Sequence, residues 1–508
     1  MLNVRFNRTP LAIAVVAATT GLPVFAAKSV DTYTLREAVT LDGVRSHQAA
    51  FQQAADENGG TREASSPGYQ ASVDYVVDRM TSAGYDVTIQ EFDYPFFEEN
   101  APAILEQTSP DAIAYEYFGT NGFATMTYSG SGDVSAVAEG VDLALPPGTE
   151  VNTSTSGCEA TDFSGFTSGN IAVVQRGSCS FAQKAQNAAD AGAIGVIIFN
   201  EGQPGRTENF LGTLGEPGFS VPVVGAAFEV GVELSAGGVE VKLVVDASSE
   251  IRSTSNVIAN SPQGRDDRVV VVGAHLDSVS EGPGIQDNGS GSAATLEVAI
   301  QMANQQISPR NKVRFAWWGA EEAGLLGAQH YVDQLTPREI KDIALNLNFD
   351  MIGSPNFVRF VYDGDGSATP LAGPNGSKVI ESVFLDYFAA NSLPVEPTAF
   401  DGRSDYGPFI EIGIPAGGLF TGAEGIKTPD EAALYGGTAG DQYDPCYHLA
   451  CDTFDNISLQ ALDEMSDAVA HSVMTFAMTT SAVNGTDKGK GLGKNKGDME
   501  YRGSRAVK

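Results

Sequence analysis

Val73, Val76, Val77 and Met80 recur at helical spacing, which predicts one buried helix face within residues 66–84. The ends of that stretch carry their own signals: Ser66 can cap, Pro67 suits a first turn, and Gly84 follows the last. Asp86–Phe92 then alternates as a strand does. Between about 100 and 248 the texture changes to short strands and Gly/Pro turns. From 255 on, the apolar strands Val269–Gly273, Val313–Trp318 and Leu345–Phe349 alternate with helical stretches at Ser292–Gln305 and Glu322–Leu335. Such alternation implies an α/β fold, a sheet covered by helices on both faces. Ligands in such folds gather at the carboxyl ends of the strands.

Composition narrows the function classes. The 508 residues hold 64 Asp+Glu against 30 Lys+Arg, a net charge of −34. No nucleic-acid partner is expected, because phosphate binding needs clustered Lys and Arg. Docking on an anionic membrane is disfavoured for the same reason. Disorder does not explain the charge, since 42% of residues are hydrophobic and 9% aromatic, enough to build sizeable cores. At about 150 residues per domain, two to three domains are expected.

The chain ends differ from the body. Arg5 and Arg8 precede an apolar stretch from Leu11 to Val24, and Val24-Phe25-Ala26 is a cleavage site of the expected kind. Residues 1–26 therefore read as a signal peptide, and the stretch is too short to span a bilayer. Export makes the four cysteines expected disulfides. Three pairings are possible, and local spacing favours Cys446 with Cys451 and Cys158 with Cys179. Residues 483–508 form a Gly-rich basic tail, expected to be disordered. It is either a solvated end or a segment that lies across the acidic surface and is removed on maturation.

Two stretches carry a family resemblance. The first runs Gly169-Asn-Ile-Ala-Val-Val-Gln-Arg-Gly-Ser-Cys-Ser-Phe-Ala-Gln-Lys-Ala185, with Asn187-Ala-Ala-Asp-Ala-Gly-Ala193 and Val196-Ile-Ile-Phe-Asn200 after it. Residues 150–228 thereby resemble the protease-associated (PA) domain, a non-catalytic insert of several secreted and vacuolar peptidases that is thought to shape substrate access. The second lies at the strand ends. Val269–Gly273 leads to His275-Leu-Asp277 and then Asp287-Asn288; Val313–Trp318 leads to Glu321-Glu322; Leu345–Phe349 leads to Asp350. One carboxylate at a strand end is ordinarily a turn or cap residue, but several ends each bearing His, Asp or Glu point to a metal site.

These segments, with Tyr447-His448, are similar to the secreted zinc aminopeptidases of peptidase family M28, over about 35–95 and 250–480. The resemblance implies a mixed, mostly parallel sheet flanked by helices, with a β-rich α+β PA domain inserted. It also implies two zinc ions per chain. His275 and Asp350 correspond to ligands of different ions, Asp287 to the carboxylate bridging both, and Glu322 and His448 to the ligands completing the two sets. Glu321 takes the position of the base that activates zinc-bound water, and Asp277 that of the carboxylate orienting His275. A cis peptide at Asp287–Asn288 is implied as well. Imidazole and carboxylate without thiolate suit zinc in an open catalytic site.

Tyr447 resembles the phenol that donates to the tetrahedral oxyanion, and Arg403 a substrate-binding arginine of close members. The free α-amine of a substrate needs carboxylates, for which Glu321 and Asp350 are the candidates. Asp463 and Asp467, four apart on an expected helix, match a pair that binds calcium in some members, against the plainer reading of a solvated helix face. His47, His330 and His471 have no motif around them and are expected on a helix surface or in a core. There is neither HExxH nor GxSxG.

The expected organisation is a signal at 1–26, catalytic segments at 27–98 and 250–482, the insert at 99–249 and the tail at 483–508. A short propeptide at the start of 27–98 belongs to the same reading. The expected activity is a secreted, monomeric aminopeptidase acting on peptides and proteins with a free N-terminus, favouring leucine-like residues. The alternatives are a related zinc carboxypeptidase, a glutaminyl cyclase-like enzyme, or a receptor-like binding protein without catalysis.

Overall fold

The computed structural model describes residues 30–484. The signal segment and nearly all of the basic tail lie outside the described residues; the tail's first two residues close a short helix, Ser481–Asn484.

The interior of the molecule is one continuous path of strands. At its centre Arg265–His275 lies parallel to both Asn311–Trp318 and Ile343–Phe349, and Ala416–Phe420 runs parallel to the last of these. The sheet is mixed and mostly parallel here. Its central strands are apolar on both faces because helices cover both, as a parallel sheet requires. Val270 and Val272 face a large core shared with the helices Leu41–Asp56, Pro67–Ser82, Gly289–Asn304 and Leu459–Met478. Val269 and Val271 face the other way, onto Trp318, Tyr331 and Phe409.

The helix expected at 66–84 spans Pro67–Ser82; Ser66 Oγ accepts from the Tyr69 amide, and Gly84 adopts φ +86°. Asp86–Phe92 is the start of a far longer strand, Asp86–Ser109, paired antiparallel with Glu240–Asn260 from Asp86↔Asn260 to Ser109↔Glu240. Phe92, Tyr94 and Phe96 alternate inward along it and pack with Ala64 and Ala320. This two-stranded ribbon leaves the central sheet and becomes the edge of a second one. There Gly132–Gly140 pairs antiparallel with Glu240–Asn260, followed by the parallel strands Ile171–Gln175, Gly195–Phe199 and Val223–Ala226. Two further apolar clusters, around Ile197 and Phe199 and around Val196 and Ile198, line its two faces. The boundaries expected at 98/99 and 249/250 therefore fall inside unbroken strands.

One expected helix is shorter than its pattern. Glu322–Leu335 is helical only over Leu326–Asp333. Ala320 and Leu325 both take left-handed backbone angles, φ +55° and +57°, a conformation that no helix continues through. Glu321 and Glu322 thus sit on an irregular turn after the strand.

Among the described residues no helix is long and apolar enough to cross a membrane. The cysteines pair as Cys158–Cys179 and Cys446–Cys451.

Candidate metal centre

Four backbone devices bring the candidate ligands together. First, the helix Gly289–Asn304 starts hard against the end of the strand Ile343–Phe349. A Cβ on Gly291 would lie 2.1 Å from the Phe349 carbonyl oxygen, so only glycine fits. Asn288 caps that helix through the Gly291 amide, at 2.9 Å, and its Oδ1 also accepts from the Met351 amide, at 3.1 Å. Asp287 and Asp350 are held side by side as a result, and the Asp287–Asn288 peptide is cis.

Second, the Asp277 carboxylate accepts the amides of Glu321 and Glu322, at 3.2 and 3.3 Å, which fixes the turn carrying both glutamates. Its contact with His275 is of another kind. The nearer partner of His275 Nδ1 is the Asp277 carbonyl oxygen at 3.2 Å, with the carboxylate at 3.6 Å. Third, the buried Asp452 carboxylate accepts the amides of Gln286 and Asp287, at 2.8 and 2.9 Å. Asp452 directly follows Cys451, so the disulfide loop that presents Tyr447 and His448 is tied to the Asp287 segment. Fourth, the fully buried Arg62 donates to the carbonyls of Leu276, Pro283 and Gly284, spanning the loop between His275 and Asp287.

The side chains converge in two groups that share one carboxylate. His275 Nε2 lies 3.2 Å from Asp350 Oδ1 and 3.3 Å from Asp287 Oδ1. His448 Nε2 lies 3.2 Å from the other oxygen of Asp287 and 3.1 Å from Glu322 Oε2. Glu321 Oε2 stands further off, 3.9 Å from His275 Nε2. Ser404 Oγ donates to Asp350 Oδ2 at 2.5 Å and accepts from Asn348 Nδ2 at 2.7 Å. The Tyr447 and His448 rings stack at 3.8 Å. Asp287, Glu321, Asp350, Arg403, Tyr447 and His448 all line one cavity at the carboxyl ends of the strands.

The electrostatics are those of a nest built for cations. Burial alone would discharge His275, yet Asp350 and Glu321 raise its pKa well above the ordinary imidazole range. Burial likewise opposes the charge on His448, but Glu322 and Asp287 push it up to about 11. Burial raises Glu321, with His275 pulling it back down and Glu322 adding to the rise. Asp287 is held below the usual carboxylate range because the two imidazoles outweigh its burial. Burial, then the charges of Asp287 and Glu322, keep the Tyr447 phenol protonated, with Arg403 pulling the other way. Asp277, Asp287, Glu321, Glu322 and Asp350 are all buried with only two imidazoles among them. Such an excess of buried negative charge is costly without cations. His448 Nε2, moreover, is buried and faces the Asp287 and Glu322 carboxylate oxygens at 3.2 and 3.1 Å without hydrogen-bond geometry to either. The all-nitrogen-and-oxygen donor set fits zinc.

The other sequence candidates lie apart. Asp463 and Asp467 are on the helix Leu459–Met478, and among the described residues no third ligating side chain closes on them. His47 is buried between Tyr75 and Glu297, His471 bonds Thr32, and His330 stacks on Phe92. Arg62, Ser404 and Asp452 were not anticipated from the sequence. Asp452, beside a cysteine of the site loop, was the one with a local signal.

Residues 256–473 match peptidase family M28 and residues 142–234 match the PA domain. The helices Leu41–Asp56 and Pro67–Ser82 pack into the same core as the former match, so the PA domain is an insertion within that domain. An aminopeptidase of Pseudomonas aeruginosa (strain UCBPP-PA14) is 50% identical over 435 residues, 85% of this chain and 80% of its own length. Leucine aminopeptidase 2 of Trichophyton equinum is 48% identical over 326 residues, 63% of this chain and 65% of its own. The solved structure of BSAP, a zinc aminopeptidase from Bacillus subtilis, matches in fold with a TM-score of 0.54 at 23% identity, covering 86% of this chain and 94% of that chain.

Proposed function

Because the chain belongs to peptidase family M28 and is an aminopeptidase, we propose that it is an exported di-zinc enzyme removing leucine-like residues from peptides with a free N-terminus. The observation that carries this reading is the division of the Asp287 carboxylate, one oxygen beside His275 and the other beside His448. His275, Asp287 and Asp350 would hold one ion; His448, Asp287 and Glu322 would hold the other. Each ion would then take three protein ligands from this chain, as catalytic rather than structural zinc does. When bound, such ions polarise the scissile carbonyl and lower the pKa of a coordinated water.

The chain's own groups do the rest. Glu321 takes the proton of the attacking water and passes it to the leaving amine. The negative charge of Glu321 and Asp350 holds the substrate's α-ammonium. Tyr447 donates its phenolic hydrogen to the carbonyl oxygen as charge develops there, and Arg403 lies against that phenol. Met351, Tyr362, Phe420 and Ala423 in the cavity wall, and the leucine aminopeptidase relative, support the apolar preference. Two disulfides and the N-terminal sequence support export. Asp463 and Asp467 are assigned no calcium, since among the described residues no third ligating side chain closes on them.

The test is a panel of aminoacyl-anilides assayed with and without a chelator. Leucyl-anilide should be cleaved fastest, lose its turnover on chelation and regain it with zinc, while acetyl-leucyl-anilide should stay intact. Zinc-loaded mature protein that cleaved no free-amine substrate would overturn the reading.

Ser404→Ala should weaken zinc retention roughly ten- to a hundredfold, because the hydroxyl orients Asp350. Competition against a chelator measures it. Unchanged retention would mean that Ser404 only fills space.

A further inference from the structure

Arg403 does not stand at the site as an uncommitted cation. Its Nη1 donates to Glu424 Oε1 at 2.8 Å, and its Nη2 reaches Glu424 Oε2 at 3.3 Å and the Tyr447 phenol oxygen at 3.2 Å. Pairing through both outer nitrogens fixes the plane of the guanidinium as well as its place. Both partners are part-exposed, their side chains 38% and 47% accessible, so an incoming solute can compete for either. Among the residues lining the cavity, Arg403 is the one Lys or Arg, surrounded by Asp287, Glu321, Glu322, Asp350 and Asp401.

On the function proposed above, on which this inference rests, the substrate's α-amine lies between Glu321 and Asp350 and its scissile carbonyl beside Tyr447. The next Cα is then about 3.8 Å from the first, which brings that residue's own carbonyl group towards Arg403. In a dipeptide this group is a carboxylate; in a longer peptide it is a neutral amide. A free guanidinium would favour the carboxylate, but the Glu424 carboxylate is already paired with it.

We propose that Glu424 is a specificity-determining residue. By holding Arg403 it forces a substrate carboxylate to compete for the guanidinium, and so tilts the enzyme away from dipeptides and towards longer chains. The pairing also keeps Nη2 against the Tyr447 oxygen, which leaves the phenolic hydrogen free to turn towards the substrate.

The experiment compares Leu-Gly with Leu-Gly-amide, which differ at the second residue only in charge and one atom. Glu424→Gln should raise the ratio of kcat/KM for the free acid over the amide roughly three- to fivefold, the worth of one part-exposed ion pair, mainly through a lower KM for the acid. Glu424→Asp, which keeps the charge, should stay within about twofold of the wild-type ratio. The double variant Glu424→Gln with Arg403→Gln should return to that ratio. An unchanged ratio in Glu424→Gln that still cleaves the amide overturns the proposal, as does a raised ratio that persists without Arg403. Wild-type protein that cleaves neither compound would instead overturn the aminopeptidase mechanism on which it rests.

Discussion

Glu321→Ala should lower kcat for leucyl-anilide roughly a hundred- to ten-thousandfold while zinc content stays near two per chain. The geometry sets both halves of that expectation. Glu321 Oε2 lies 3.9 Å from His275 Nε2, whereas the Asp287 and Asp350 oxygens stand at 3.3 and 3.2 Å. Glu321 therefore flanks the cluster and is not needed to complete either set of three donors. Its carboxylate faces the cavity, and burial raises its proton affinity above that of an ordinary glutamate, as suits a group that must accept a proton and give it back. Positioned general bases contribute roughly a hundred- to ten-thousandfold; of the cavity's two carboxylates without a proposed ligand role, Glu321 stands beside His275, whereas Asp401 accepts from the Tyr406 hydroxyl and the Arg403 amide. Elemental analysis alongside steady-state kinetics decides the matter. Loss of zinc together with turnover would reassign Glu321 as a ligand.

The opposite pairing of results is expected for Asp287→Ala, where metal and activity should disappear together. Each oxygen of this carboxylate serves a different imidazole, so its removal would leave each of the two proposed ions two protein ligands instead of three. Zinc per chain should fall from near two to below one after dialysis, and turnover should fall with it by more than about a thousandfold, since both Lewis-acid functions are lost. A variant that retained two zinc ions would show that the two halves of the site are held independently and that Asp287 is no bridge. The Asp452 carboxylate binds the backbone of residues 286 and 287, so the segment keeps its anchor in this variant.

Much of the site was legible because its residues occupy the ends of apolar strands. His275, Glu321 with Glu322, and Asp350 each follow a run of buried residues on neighbouring strands, and sheet geometry alone brings such ends together. What pattern could not supply was the backbone's handedness. Nothing in the helical spacing after Glu322 announces that Ala320 and Leu325 turn left-handed and delay the helix to Leu326. Long-range partners were equally hidden. Arg62 and Glu424 act through contacts with residues 214 and 21 positions away, and neither sits in a local pattern that marks it. The length of the strand Asp86–Ser109 escaped for a related reason, since its outer half has no core of its own until Glu240–Asn260 lies beside it.

That last pairing bears on how the protein is made. Asp86 finds Asn260 and Glu106 finds Lys242, so the early strand emerges with no partner while the whole intervening module is still being synthesised. At about 5–20 residues per second the wait is roughly 10–30 s. During that interval the inserted module, whose inner strands pair among themselves over short separations, can fold while the exposed edge of Asp86–Ser109 stays open to mispairing. The insert is thus the part that can nucleate first, and the peptidase core is the part that must be completed around it.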